Sequence, residues 1–180
     1  GDGDQQYFKK PNSSAAYYED LSGLSLKLTD NGTYTEIEDK GGTVMRFESP
    51  QDALDDTGRL LSITDSCGNT NTFQYGDWRL ESITDGAGRV TQFTYSDKML
   101  TGILAPGENA PVTLEYYNNR QLNGIVDADG ERTDISWTQV TGEYGLDNYV
   151  VSIGNSTDGR YLEFDYLYAM PHRVARMQIV

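Results

Sequence analysis

Few side chains in this sequence could do chemistry, and their spacing decides how each is read. His172 is the sole histidine and Cys67 the sole cysteine, so any Ser-His-Asp or Cys-His arrangement must use them. They lie far apart along the chain. His172 sits in Met-Pro-His-Arg, which reads as a linking turn, and Cys67 holds the position that Ala87 occupies twenty residues on. A surface turn histidine and a tolerated small residue are expected, not a base and a nucleophile. Asp127-Ala-Asp129-Gly130-Glu131 resembles part of a calcium loop, but the twelfth position is Thr138, where a bidentate Glu is required. No CxxC, HExxH or Gly-rich phosphate loop occurs. Glu163 with Asp165, or Glu81 with Asp85, could form a glycosidase pair by residue type, yet they read better as solvent-facing alternation in strands. No catalytic residue, metal or cofactor is therefore expected. Exposed aromatics are the remaining chemistry. Trp78 stands in the turn Gly-Asp-Trp-Arg, where Lys98 stands in the next unit, and Tyr117 follows Tyr116 on the opposite face of a strand. Such rings stack on sugars, so Trp78 and Tyr117 are the candidate contacts for a neutral glycan.

The elements that would position these residues repeat. Leu60, Leu80, Leu100 and Leu122 follow at spacings of 20, 20 and 22 residues. Three residues after each stands an isoleucine: Ile63, Ile83, Ile103 and Ile125. Then come Asp65, Asp85 and Asp127, with Ala105 breaking the rule, and three residues later Gly68, Gly88 and Gly130. Asp-x-x-Gly fits a turn in which the carboxylate caps the following amides and glycine takes the left-handed position. An apolar residue and an aromatic two apart close each unit: Phe73 and Tyr75, Phe93 and Tyr95, Ile135 and Trp137. Each unit reads as a β-hairpin with one apolar face, and a lone hairpin is marginal in water. The units must pair edge to edge, so the expected fold is all-β: tandem hairpins forming one curled, mostly antiparallel sheet of about a dozen strands.

Weaker copies flank the array, from Tyr34 to Phe47 and from Val150 to Tyr166, and Val174 with Met177 opens a further unit. The native protein is accordingly expected to continue. Residues 58–180 form the repeats and 21–57 an N-terminal β-meander that turns at Asn31-Gly32. Residues 1–20 are a lead-in in which Asn12 or Ser13 caps a short helix.

With 28 acids against 14 bases and a net charge of −14, the chain lacks the basic footprint that nucleic acids, anionic membranes and sulfated glycans require. Gly (19) and Tyr (13) are abundant against 5 Pro, a turn-rich β composition and not a disordered one. A single cysteine excludes an internal disulfide. No run of 18 apolar residues suggests a membrane span. Sequons at Asn12, Asn31 and Asn155 mark expected exposed loops.

The unit Gly58-Arg59-Leu60-x-x-Ile63-x-Asp65-x-x-Gly68-x-x-x-x-Phe73-x-Tyr75, repeated from Leu80 to Tyr95, resembles the Rhs (YD) repeat. The namesake Tyr-Asp dipeptide is absent, with Tyr75-Gly-Asp77 and Tyr95-Ser-Asp97 in its place. The resemblance implies a segment of a bacterial extracellular or cell-wall-associated protein whose repeats spiral into a hollow shell around a toxin. Its partners would be other repeats of the same parent chain, and carbohydrate binding at a cell surface is the second function it implies. The family's self-cleaving motif is absent, so the segment would be wall, neither protease nor cargo.

Overall fold

A computed structural model describes residues 6–49, 58–77, 79–118, 120–142, 145–155, 158–167 and 170–179. It is all-β. Sixteen strands lie among the described residues, more than the dozen expected, because the lead-in and the terminal segment are also extended. The chain divides into two compact units, 1–91 and 92–180, a boundary that falls inside the repeat array.

The first unit holds β1 (Phe8–Lys9), β2 (Tyr18–Asp20), β3 (Lys27–Asp30), β4 (Tyr34–Glu38), β5 (Val44–Glu48), β6 (Leu60–Thr64), β7 (Thr70–Gly76) and β8 (Arg79–Thr84). The second holds most of β9 (Val90–Ser96), then β10 (Met99–Leu104), β11 (Val112–Tyr116), β12 (Leu122–Val126), β13 (Arg132–Gly142), β14 (Gly145–Asn155), β15 (Arg160–Leu167) and β16 (Met170–Ile179). Within each unit every strand pairs antiparallel with its neighbour in the chain. The expected strip of tandem hairpins is thus the observed architecture.

Alternation sorts the side chains by face. In the first unit Ile37 pairs with Met45, Met45 with Ile63, and Phe73 with Ile83. In the second, Phe93 pairs with Ile103, Leu114 with Ile125, Ile135 with Ile153, and Phe164 with Met177. The opposite face carries Glu36 against Arg46, Gln74 against Ser82, and Glu163 against Gln178. Among the described residues no hydrophobic side chain is fully buried, and Ser49, 3% exposed, is the buried polar residue. The apolar faces are half-covered by their own neighbours, as in a single sheet layer and unlike a two-layer core.

Two expectations fail. Residues 12–20 form no helix. The Asn12 side chain does cap, accepting hydrogen bonds from the Ser14 amide and hydroxyl at 3.0 Å each, but it closes a turn. The chain then enters β2, where Tyr18 pairs with Leu28; two serines and two tyrosines are poor helix formers, and the ladder prevails. His172 lies within β16 and not in a linking turn. Three residues, 171–173, are accommodated where the register steps from Tyr166↔Val174 to Leu167↔Met170, an irregularity of the kind that lets a strand carry Pro171.

Candidate functional site

The turns and the aromatic positions are where side chains act on this scaffold. At Asp65 the carboxylate accepts hydrogen bonds from the amides of Cys67 and Asn69, both at 2.9 Å, and from the Asn69 side chain at 2.7 Å. The Gly68 amide donates back to the Asp65 carbonyl at 3.0 Å, with Gly68 at φ +89°. Asp85 repeats this with the Ala87 and Arg89 amides and the Arg89 guanidinium, and Gly88 at φ +79°. Asp127 does the same with Asp129 and Glu131, and Gly130 at φ +88°. Asp39, in the weaker copy, caps Gly41 and Thr43. The turns are therefore Asx turns closed by a left-handed glycine. The hydrogen bonds hold three carboxyls below the ordinary carboxylate value: Asp39 chiefly through the Thr43 amide, Asp65 through the Asn69 side chain, and Asp85 through the Arg89 amide. Where Ala105 replaces Asp, Pro106-Gly107 closes the turn instead, with Glu108 donating to the Ala105 carbonyl and Gly107 at φ +84°.

The aromatic positions form a second periodic device. Tyr75 donates its hydroxyl to the Leu60 carbonyl at 2.9 Å, Tyr116 to Leu100 at 2.7 Å, and Tyr166 to Val150 at 2.6 Å. Trp137 donates its indole N–H to Leu122 at 2.7 Å. Each acceptor stands next to a register shift: Leu61, Thr101, Asn123 and Val151 are the extra residues. A bulge disrupts the ladder at that point, and the aromatic donor on the following strand serves the carbonyl there. Burial raises the Tyr75 phenol above its ordinary value. Sequence reading placed Tyr75 and Trp137 as the aromatics that close a unit but did not show them as hydrogen-bond donors. Their fixed separation from the opening residue, 15 or 16 positions, was the available signal.

Trp78 lies outside the described residues. Tyr117 is 46% exposed and begins a turn in which Arg120 donates to its carbonyl at 2.9 Å, while its neighbour Tyr116 is held by the Leu100 bond. Cys67 is exposed in its turn. Among the described residues no group of three or more His, Cys, Asp or Glu could hold a metal ion. The Asp127 carboxylate already serves its own turn. Glu163 accepts a hydrogen bond from Gln178 at 2.9 Å, which makes it part of the polar face. Among the described residues no helix is long and apolar enough to cross a membrane.

The chain matches no protein-family model and no curated protein.

Proposed function

We propose that the chain is a non-enzymatic wall segment of a bacterial extracellular protein of the Rhs/YD-repeat kind, one stretch of a shell that encloses a toxin. The observation that carries this reading is the bulge and its aromatic donor, repeated at Leu60–Tyr75, Leu100–Tyr116, Leu122–Trp137 and Val150–Tyr166. The carboxylates of Asp39, Asp65, Asp85 and Asp127 cap turns and the phenols of Tyr75, Tyr116 and Tyr166 serve bulges, so these side chains build sheet. The absence of any fully buried hydrophobic side chain among the described residues supports a layer that is one part of something larger. The −14 charge suits an exposed, soluble wall.

A second reading, a carbohydrate-binding module of a cell-surface protein, is favoured by one observation, the exposed ring of Tyr117. A glycan array separates the two. The wall reading expects no neutral glycan retained at millimolar concentration, and the same null result for Trp78→Ala and Tyr117→Ala. A glycan bound by the wild type and lost by either variant, with its melting temperature unchanged, would replace wall by module.

A further inference from the structure

Asn-Gly occurs twice in the chain, as Asn31-Gly32 and Asn123-Gly124. The dipeptide carries a chemistry of its own. With no Cβ on the second residue, its backbone nitrogen can swing onto the amide carbon of the Asn side chain. The fold gives the two copies opposite surroundings.

Asn31-Gly32 joins β3 to β4, and Asp30, Asn31, Gly32 and Thr33 are all exposed. The Asn31 amide is anchored to the Tyr34 carbonyl at 3.0 Å. Gly32 has φ +84° and open space where a Cβ would stand. Its amide donates to the Asp30 carboxylate at 2.9 Å. That bond sets an anionic acceptor on the proton the nitrogen must lose, within the reach required of a general base. Asn123-Gly124 lies instead within β12. Gly124 is buried, pairs with Glu115 on one side and Asp134 on the other, and is covered by the Arg132 guanidinium. The Asn123 side-chain oxygen is buried as well. Closing a ring there would require the ladder to open.

We propose that Asn31 is a self-modification site, at which the Gly32 nitrogen closes on the Asn31 side chain and Asp30 accepts its proton. A bond forms between the Gly32 nitrogen and Asn31 Cγ, and the Cγ–Nδ2 bond breaks. The side-chain nitrogen leaves as ammonia, carrying the proton that Asp30 took up. Water then opens the cyclic imide. Cleavage at Cγ gives Asp, and cleavage at the Asn31 main-chain carbonyl gives isoaspartate, with the chain routed through the side chain. The sum is a water consumed and an ammonia released, with no change of oxidation state. Either product sets a new carboxylate beside Asp30 at the hairpin tip. The proposal rests on the geometry of this turn and not on the wall reading.

The test ages the full 180-residue chain in mildly alkaline buffer and maps its peptides by mass spectrometry, with isoaspartyl methyltransferase labelling the isomer. The folded wild type should convert Asn31 to Asp and isoaspartate while Asn123 persists. Asp30→Asn keeps an oxygen for the Gly32 amide but removes the base, and should slow conversion at Asn31 by about tenfold or more. In denaturant, Asn123 should convert as fast as Asn31, and Asp30→Asn should no longer differ from the wild type. Asn31 intact in the folded chain, equal conversion of Asn31 and Asn123 there, or Asp30→Asn at the wild-type rate overturns the proposal.

Discussion

The hydroxyl of Tyr75 donates to the carbonyl of Leu60 at 2.9 Å, 15 residues earlier in the chain and beside a bulge at Leu61. The bond ties the last residue of one repeat to the first and supplies a donor where the ladder is interrupted. Removing it alone should cost about 1 kcal/mol, the usual net worth of one such bond. Urea unfolding of Tyr75→Phe and Tyr116→Phe checks this, with Tyr117→Phe, whose ring is exposed, as the unaffected reference.

The same phenol makes stability depend on alkali. Burial raises the folded-state pKa of Tyr75 above its ordinary 10.0, so the folded state holds the proton longer than the unfolded chain. Stability from this group is complete below about pH 10 and falls as pH rises through the window up to the folded value. Melting temperatures between pH 9 and pH 11 (about one unit either side of the ordinary value) should decline less steeply for Tyr75→Phe than for the wild type.

The turn carboxylates give the opposite dependence. Asp39, Asp65 and Asp85 are held below their ordinary 3.8 by bonds made in the folded state. Their contribution is present above that value and is lost as pH falls through the lowered folded values. Acid titration of the melting temperature should bend downward below about pH 4. Asp85→Asn, which keeps an acceptor for the Ala87 and Arg89 amides, should be less destabilising at neutral pH than Asp85→Ala and should flatten the acid limb.

Backbone conformation predicts two substitutions of opposite sign. Gly88 has φ +79° and open space around an added Cβ, so Gly88→Val should lose about 1 kcal/mol or more through backbone strain alone. In the connection from Ser96 to Met99, Asp97 and Lys98 have φ +48° and +71°, the paired left-handed conformation that two-residue hairpin loops require. Lys98→Gly should therefore stabilise by about 0.5–1 kcal/mol. Thermal unfolding of the two variants gives the signs directly.

Much of this was legible in the sequence because both devices depend on spacing. Asp-x-x-Gly specifies a turn without reference to anything distant, and the turns at Asp65, Asp85 and Asp127 form as their residues imply. Phe73 and Tyr75, two apart, share a face as a strand demands. The interval from Leu60 to Ile63 is odd and could not share a face in a regular strand. That parity is the signature of the bulge at Leu61, which sequence reading passed over. β1 and β2 escaped notice for a different reason. Phe8–Lys9 and Tyr18–Asp20 are too short to show alternation and are extended because β3 gives β2 a partner. A ligand contact such as the one expected at Tyr117 depends on what approaches from outside, and no periodicity within one chain encodes that.

Electron cryomicroscopy of the complete gene product tests the central claim most directly. The account predicts that residues 58–180 run as part of a longer antiparallel strip walling a cavity, with Tyr75, Tyr116, Trp137 and Tyr166 on the carbonyls described above. A map in which these residues stand apart as a separate module, with a second layer of the same segment packed over the apolar face, would contradict it.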